Sequence, residues 1–407
     1  MQSITNAAGY ALRKYNNIVK EQVYDKNVLV QNILSNVLKD QGNTTKYFIA
    51  HNGRNVSAAS GAETMTLPTA GNQGAVQGAV SMKYHFAKIA ITDVALKASQ
   101  KGSEFLANLL NTEYEGAKND LKRQITRQLY ADGTGVVCRV NDAAPDTTLT
   151  FDTPMVGKYP TTFFEAGEGI LFASDTAGTG SQAYTNVATN GVTGNYTMTV
   201  DSATGIVDDD YVFKAVYKGS DTPSVGMYGS TDMIGLKALI DDGSNVDTVE
   251  SLSRATYPFW NSYVNDSASQ RSLTDDLLHT TFIEASQKGT PKFIVTHWDV
   301  TKAYGLTLSP DRRYVSSETV LKGGFKGVDF NGIPMVADFD CPYDEAYFID
   351  PTSLSMEELY PMGWLDNDGS VLSRSASTAS WEAVLAYYAN LAVFAPNKNA
   401  SLRDVIA

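Results

Sequence analysis

The chain has 407 residues, of which 43% are hydrophobic and 19% are charged, and its formal net charge is −13. This balance is typical of a folded protein of two or three domains and excludes an intrinsically disordered chain. The acidic charge argues against sequence-specific nucleic-acid binding, and no apolar run is long enough to predict a membrane-spanning helix.

The first 45 residues are polar and of mixed charge. A helix is predicted at 27–38, where apolar residues recur at steps of three and four. The segment has too few apolar residues to form a core of its own. We therefore predict an arm that packs on another surface, with a partly ordered terminus as the alternative.

Residues 52–78 are rich in Gly, Ala, Ser and Thr, which predicts a long surface loop. Residues 80–86 then alternate between apolar and polar, which predicts a half-buried strand whose apolar face changes parity near Ala87. A long strand that follows such a loop predicts a projecting β-hairpin. Because an isolated two-stranded hairpin is marginal in water, we expect this hairpin to rest on a partner molecule. The predicted apolar face is Val80, Met82, Tyr84 and Phe86, and the predicted polar face is Ser81, Lys83 and His85.

The clearest predicted helix runs from Ser103 to Tyr130, because apolar residues recur every three or four positions along it. The sequence Asp-Gly-Thr-Gly at 132–135 ends it. A solitary helix of this length before strand-rich sequence predicts a spine laid across a sheet.

Residues 146–226 form a predicted β-rich module with many Gly, Asp and Asn turns. Beyond it, Ser272 and Asp275 fit a capping box for a helix that ends before Gly289. The strand candidates of the module are Thr147–Phe151, Gly169–Ala173, Tyr196–Val200 and Tyr211–Tyr217. Further predicted elements are helices at 234–240, 273–288 and 298–306, a strand at 293–296 and a buried strand at 381–396.

No catalytic residue, cofactor site or metal site is predicted. His297 and Asp299 are close in sequence, but Asp299 is interpreted as the cap of the next helix. The GxGxxA segment at 178–183 is followed by turn- and strand-forming residues instead of the helix that a dinucleotide site needs.

Two further patterns are also interpreted as structural. The acidic pair Asp241–Asp242 lacks the full calcium-loop pattern and fits a turn better. Cys138 and Cys341 are too few for a disulfide scaffold or a zinc site and are expected to be small apolar residues.

Several short segments occur in an informative order. They are LYADGTG at 129–135 after the predicted spine helix, GLKALID at 235–241, SRATY at 253–257 and LSPDRRY at 308–314. Together with the arm, the loop and the β-rich module, this order resembles the major capsid proteins of tailed bacteriophages with the Hong Kong 97-type fold. The likeness runs over about residues 27–406.

The resemblance implies an α+β Hong Kong 97-type capsid fold. It also implies that the chain assembles with itself into pentamers and hexamers, which form an icosahedral head around double-stranded DNA without sequence-specific binding. The implied segments are an N-arm at 1–45, an extended loop with hairpin strands at 46–92, a peripheral domain at 93–145 with its spine helix at 103–130, an inserted β-rich module at 146–226, an axial domain at 227–380 and a C-terminal strand at 381–407 that returns to the peripheral domain.

The implied partners are a separate scaffolding protein, a portal and decoration proteins, and the implied location is the virion, with assembly in the host cytoplasm. A separate scaffold is expected because only about 45 residues precede the loop. Arg54, Lys83 and Lys88 are candidates for contacts between subunits. Cross-linking through a loop lysine is not expected, since no lysine lies between Arg54 and Val80.

Three alternatives remain at this point. An encapsulin-like nanocompartment shell shares the fold and would enclose a cargo enzyme. A β-rich surface or adhesin protein would need a secretory signal and repeats, and neither is seen in the sequence. An enzyme with an unrecognised site would need a cluster of perturbed titratable groups in a pocket.

Overall fold

The computed structural model describes residues 38–39, 44–94 (except 56, 59, 67 and 68), 104–218, 231–307, 318–320, 326–366 and 371–406 (except 376). The fold is mixed α+β, with far more strand than helix. The described helices are α1 (Glu104–Gln128), α2 (Leu236–Leu239), α3 (Asp275–Lys288) and α4 (Trp298–Thr307). The described strands are β1 (Leu38–Lys39), β2 (Thr45–Gly53), β3 (Gly74–Ser81), β4 (Lys83–Thr92), β5 (Val136–Arg139), β6 (Thr148–Thr150), β7 (Glu168–Ala173), β8 (Gln182–Val192), β9 (Thr197–Val200), β10 (Tyr211–Lys218), β11 (Thr248–Val249), β12 (Leu252–Ser253), β13 (Tyr263–Asn265), β14 (Arg271–Ser272), β15 (Phe293–Thr296), β16 (Glu318–Val320), β17 (Lys326–Phe330), β18 (Ile333–Ala337), β19 (Ala346–Ile349), β20 (Leu354–Trp364), β21 (Ser373–Arg374), β22 (Ser380–Val393), β23 (Ala400–Leu402) and β24 (Val405–Ile406).

Helix α1 confirms the predicted long helix to within two residues at each end. The side chains of Leu121, Ile125 and Leu129 are buried, as the apolar repeat predicts. Tyr114, seven residues before Leu121 on the same stripe, meets Trp364 of β20 edge to face, with ring centroids 4.7 Å apart. The helix therefore lies against the sheet that contains β4 and β20.

The sheet under α1 is organised around β22, the predicted C-terminal buried strand. One edge of β22 pairs antiparallel with β4 over ten residues, and the other pairs antiparallel with β20 and then with β21. Strand β1 adds to β20 in parallel. Strands from the first quarter and from the last quarter of the chain therefore share one five-stranded sheet.

The buried side chains change from even-numbered to odd-numbered positions earlier than the sequence predicts. Met82 separates β3 from β4, and the pairing of β4 with β22 then continues without a register shift, so the predicted shift near Ala87 is wrong. The face of β4 that packs inward consists of odd-numbered residues, including His85 and Ile89. His85 is thus buried instead of lying on the polar face, and burial lowers its pKa to about 4.

The predicted β-rich module contains a six-stranded sheet in the order β5-β10-β7-β8-β9-β6. Strand β7 is fully buried on both faces, with Ile170 and Phe172 in one cluster and Leu171 and Ala173 in another. Strand β5, at Val136–Arg139, joins this sheet from before the predicted start of the module. Strand β8 was not among the strand candidates, although its residues fit both turns and strands, and it contains Ala183, the last residue of the GxGxxA segment.

The seven-stranded sheet has the order β13-β23-β19-β15-β18-β17-β16. Helices α3 and α4 cover one face of this sheet, and Ile294 of β15 packs against them. Phe293 and Val295 lie on the opposite face, in the largest hydrophobic cluster of the described residues, which also contains Trp260. Burial on both faces explains why the run Phe-Ile-Val-Thr is entirely apolar up to Thr296.

Two predicted details differ at helix ends. Helix α3 begins two residues later than predicted, because the Thr274 side chain accepts the Leu277 N–H and caps the helix, whereas Ser272 lies in β14. Gly289 ends the helix as predicted. The predicted helix at 27–38 falls outside the described residues except for Leu38, which lies in β1.

Candidate assembly surfaces

The first candidate surface is the hairpin of β2 and β3, joined by residues 54–73. Its strands pair with each other, and Tyr47 and Ile49 on β2 are 63% and 77% exposed. Covering large apolar side chains at this exposure with a second surface would be favourable. The hairpin therefore has an unpartnered apolar face in the single chain.

The base of the hairpin is fixed to its own subunit. Phe48 stacks on Trp260, with ring centroids 5.7 Å apart, and meets Phe394 edge to face at 5.2 Å. Lys46 Nζ lies 2.5 Å from a carboxylate oxygen of Glu357, which is fully buried. These contacts hold one end of the hairpin while the loop end extends from the body.

The second candidate surface is a group of aromatic side chains on the outer face of the five-stranded sheet, which we call the aromatic patch. It consists of Tyr84 and Phe86 on β4, Tyr360 on β20 and Tyr388 on β22. Tyr388 lies 5.1 Å from Tyr84, 5.6 Å from Phe86 and 5.5 Å from Tyr360 between ring centroids. Tyr84 and Phe86 remain 47% and 52% exposed.

The aromatic patch follows directly from the strand break at Met82. With odd residues of β4 packed inward, Tyr84 and Phe86 face outward across from Tyr388 and Ala386. The alternating pattern in the sequence identifies apolar side chains correctly but assigns these two to the buried face. The exposure of the patch was therefore missed.

The three predicted contact residues have different surroundings. Arg54 is exposed at the start of the loop. Lys88 is mostly exposed but pairs with Glu382 on β22, with 2.8 Å between the charged groups. Lys83 is half-buried at the start of β4 and already has a partner within the chain, and burial lowers its pKa against the opposing influence of Asp232. The structure does not bring these three side chains together in one site.

His297 and Asp299 lie close together, with 3.6 Å between the ring Nδ1 of His297 and the carboxylate of Asp299. The ring Nδ1 of His297 accepts the backbone N–H of Asp299 at 3.1 Å, and the Asp299 carboxylate binds Lys158 at 2.5 Å. The prediction that Asp299 caps α4 is wrong, because it lies in the first turn and His297 accepts its amide. Both side chains thus have structural partners.

The acidic turn at Asp241 is filled by donors. Its fully buried carboxylate binds Arg403 at 2.9 Å and lies 3.7 Å from Arg254, which is also buried. Arg254 additionally donates to the carbonyl oxygens of Ala238, Leu239, Val246 and Trp260. The Asp241 carboxylate also accepts the backbone N–H groups of Gly243, Asn245 and Val246. This arrangement is a buried ion-pair network.

In the ranges that the structure describes, no group of three or more His, Cys, Asp or Glu side chains is placed to hold a metal ion. None of the described helices is long and apolar enough to cross a membrane. Burial raises the pKa of both Cys138 and Cys341 well above the usual value for a thiol, so both are poor nucleophiles.

No family model matches the sequence, and neither does any curated protein. Among solved structures, a chain of the cyanophage A-1(L) capsid asymmetric unit is 12% identical, with a TM-score of 0.57 and coverage of 96% of each chain. The holo-SrpI encapsulin from Synechococcus elongatus PCC 7942 is 9% identical, with a TM-score of 0.49 and coverage of 100% of this chain and 96% of that one. The capsid of a native GTA particle is 9% identical, with a TM-score of 0.44 and full coverage of both chains.

The cyanophage comparison covers nearly the whole length of both chains. At 12% identity the likeness concerns the fold. The resemblance seen in the sequence is thereby confirmed, and the chain has the fold of the major capsid proteins of tailed phages.

Proposed function

We propose that the chain is a major capsid protein whose copies form the pentamers and hexamers of an icosahedral head around the double-stranded DNA of a tailed phage. The observation that carries the proposal is the projecting hairpin, whose Tyr47 and Ile49 are exposed in a fold shared with a phage capsid chain. Contacts that repeat around closed rings give such an exposed element a partner in every copy.

The aromatic patch supports the same proposal. Aromatic side chains are enriched at protein interfaces, and a cluster of them on an open sheet face is favourable when another copy covers it. We propose that neighbouring copies cover both the hairpin face and the aromatic patch. The net charge of −13 suits an enclosing shell, because an acidic protein does not bind tightly to packed DNA.

We also propose a role in the shell for each segment that the sequence predicts. The N-arm would clasp another copy, the module at 146–226 would be an outer insert, and residues 227–380 would gather at the symmetry axes. Of the three cationic candidates, Arg54 is the best placed for a contact between subunits, since it is exposed on the loop side of the hairpin. The protein would act without catalysis, in the virion, together with a scaffolding protein, a portal and decoration proteins.

The test replaces Tyr47 and Ile49 by serine in one variant and follows assembly by negative-stain electron microscopy and sedimentation velocity, with co-expression of the neighbouring genes. We expect the wild-type chain to form rings of five or six, or closed shells. The double variant should stay folded, because both side chains are exposed, and should remain as unassembled subunits.

The matched control replaces Val192 and Val207 by serine. They are 44% and 59% exposed but lie in the predicted insert, away from the hairpin. This control should assemble normally. Shells formed equally well by the Tyr47 and Ile49 variant, or a monomeric wild-type chain under every condition, would contradict the proposal.

The contents of purified particles distinguish the proposal from an encapsulin-like shell. Nuclease-protected DNA of uniform length is expected for a phage head. A stoichiometric protein cargo without DNA would instead identify a nanocompartment.

A further inference from the structure

A cavity of about 260 Å³ lies between α1 and the six-stranded sheet of the β-rich module. Arg123 and Arg127 line it from α1, and Lys214 lines it from β10. One water molecule occupies about 30 Å³ in the liquid, so the cavity has room for a small polyatomic ligand. Three cationic side chains from two parts of the fold therefore meet around one cavity.

Arg127 is the buried member of this group, with only 5% of its surface exposed. Its Nη2 lies 2.5 Å from the Asp232 carboxylate. Its Nε and Nη1 are shielded from water and have no hydrogen-bond partner among the described residues. Unpaired buried donors are costly, and those on a charged group are the most costly. Arg127 therefore has donors for an acceptor that the described residues do not supply.

The other two cations have one partner each. The Lys214 ammonium lies 2.8 Å from the carboxylate of Glu168 on β7, and the exposed Arg123 donates to the carbonyl oxygen of Thr162 at 2.5 Å. Burial lowers the pKa of Lys214 against the opposing effect of Glu168, and the positive charges of Arg127 and Arg123 lower it as well. The three cations are thus close enough to repel one another, and an anion among them would relieve that repulsion.

Three carboxylates line the same cavity. Glu168 is paired with Lys214, and Asp120 already interacts with another group of the chain. Glu165 is exposed, so water and salt screen its charge. The unpaired donors of Arg127 thus remain available to a ligand, and guanidinium groups match the oxygens of phosphate in both geometry and charge.

We propose that this cavity binds a small tetrahedral oxyanion, phosphate or sulfate, held by Arg127, Arg123 and Lys214. The bound anion would join α1 to the β-rich module of the same subunit. None of these residues belongs to the hairpin or to the aromatic patch, so the site is independent of the proposed function.

The experiment titrates the full-length chain with inorganic phosphate at constant ionic strength, followed by isothermal titration calorimetry. We expect one saturable site per chain. Sulfate should compete with phosphate, whereas acetate, with one charge and two oxygens, should compete at least about tenfold less well.

Hydrogen–deuterium exchange with and without phosphate locates the site. Amides at 120–128, 165–169 and 211–215 should exchange more slowly when phosphate is bound, because the anion favours the closed arrangement of these segments. Amides of β15 in the seven-stranded sheet serve as the internal reference and should not change.

Arg123→Gln removes an exposed donor, so the variant should fold and should bind phosphate about tenfold or more weakly. The matched control is Arg139→Gln, which replaces another exposed arginine that donates to a backbone carbonyl, that of Asp209, and it should bind like the wild type. Glu165→Gln removes a carboxylate from the cavity wall and should tighten binding.

Arg127→Lys keeps the positive charge but removes the unpaired Nε and Nη1 donors, and it should weaken binding at least as much as Arg123→Gln. A wild-type chain without saturable phosphate binding, unchanged affinity in Arg123→Gln, or equal competition by acetate would each overturn the proposal. If Arg127→Lys fails to fold, the wild-type titration and Arg123→Gln decide the question.

Discussion

The contact between Gly78 and Phe48 gives the sharpest test of how the hairpin is anchored. A β-carbon at position 78 would lie only 2.3 Å from Cζ of the Phe48 ring, closer than carbon atoms can approach. The ring cannot move freely, because it packs on both Trp260 and Phe394. The change Gly78→Ala should therefore push Phe48 out of its aromatic contacts.

Two opposing effects set the expected change in stability of Gly78→Ala: the loss of aromatic contacts and the reduced freedom of the unfolded chain. Each aromatic pair contributes about 0.5–1.5 kcal/mol beyond its buried area, so displacing Phe48 from two partners costs about 1–3 kcal/mol. Replacing glycine by alanine at an unstrained position gains about 0.4–1 kcal/mol, because the unfolded chain loses freedom. We expect a net loss of about 1–2 kcal/mol, confined to the attachment of the hairpin.

Hydrogen–deuterium exchange of the peptide covering β2 measures this local loss. Exchange should become about 5–30 times faster in Gly78→Ala. The control is Gly116→Ala in α1, where the added β-carbon meets nothing within 4 Å and where alanine should stabilise the helix by about 0.5–1 kcal/mol.

Gly78→Ala should thus destabilise the attachment of the hairpin, whereas Gly116→Ala should stabilise its helix. Adding Phe48→Leu to Gly78→Ala should recover part of the loss, which would appear as non-additivity above about 0.5 kcal/mol. Unchanged or slower exchange of β2 in Gly78→Ala would refute the reasoning.

Three further outcomes are expected. Arg254→Met should cost about 3–5 kcal/mol in the free energy of unfolding, because it removes the Arg254 donor from four carbonyl oxygens and one of the two arginines beside the buried Asp241 carboxylate. Arg374→Met, at an exposed site, should change the free energy of unfolding by less than about 0.5 kcal/mol in denaturant titrations. Thr274→Ala should cost about 1 kcal/mol through the lost helix cap, and equal effects of Thr274→Ala and Ser272→Ala would contradict the observed cap position. Both buried cysteines should resist alkylation until the chain unfolds, and rapid modification of the native protein would show that they are accessible.

Local patterns predicted the elements whose signals are long or fully apolar. Helix α1 is set by a repeat of three and four, and β15 and β22 by runs of apolar residues that are buried on both faces. Strand β8 escaped prediction because its Thr, Asn and Gly residues resemble a turn, and its strand conformation depends on pairing with β7 and β9. The strand conformation of β8 therefore depends on its tertiary contacts more than on its local sequence.

The candidate surfaces were only partly predictable. Composition identified the hairpin as an element without a core of its own. Periodicity could not show that Tyr84 and Phe86 face solvent, because an alternating pattern does not distinguish a buried aromatic side chain from an exposed one. Likewise, the cationic candidates Lys83 and Lys88 could not be seen to have partners within the chain, since Lys88 pairs with a residue almost 300 positions away.

The ten-residue pairing of β4 with β22 has a consequence for the timing of synthesis. Thr92 pairs with Ser380, which a ribosome adds roughly 290 residues later. At about 5–20 residues per second, β4 waits roughly 15–60 seconds for its neighbour. During this interval the five-stranded sheet is incomplete, and the amide groups along that edge of β4 lack their final partners. Because an unpaired strand edge can pair with another chain, β4 remains open to association with other chains until β22 has been synthesised.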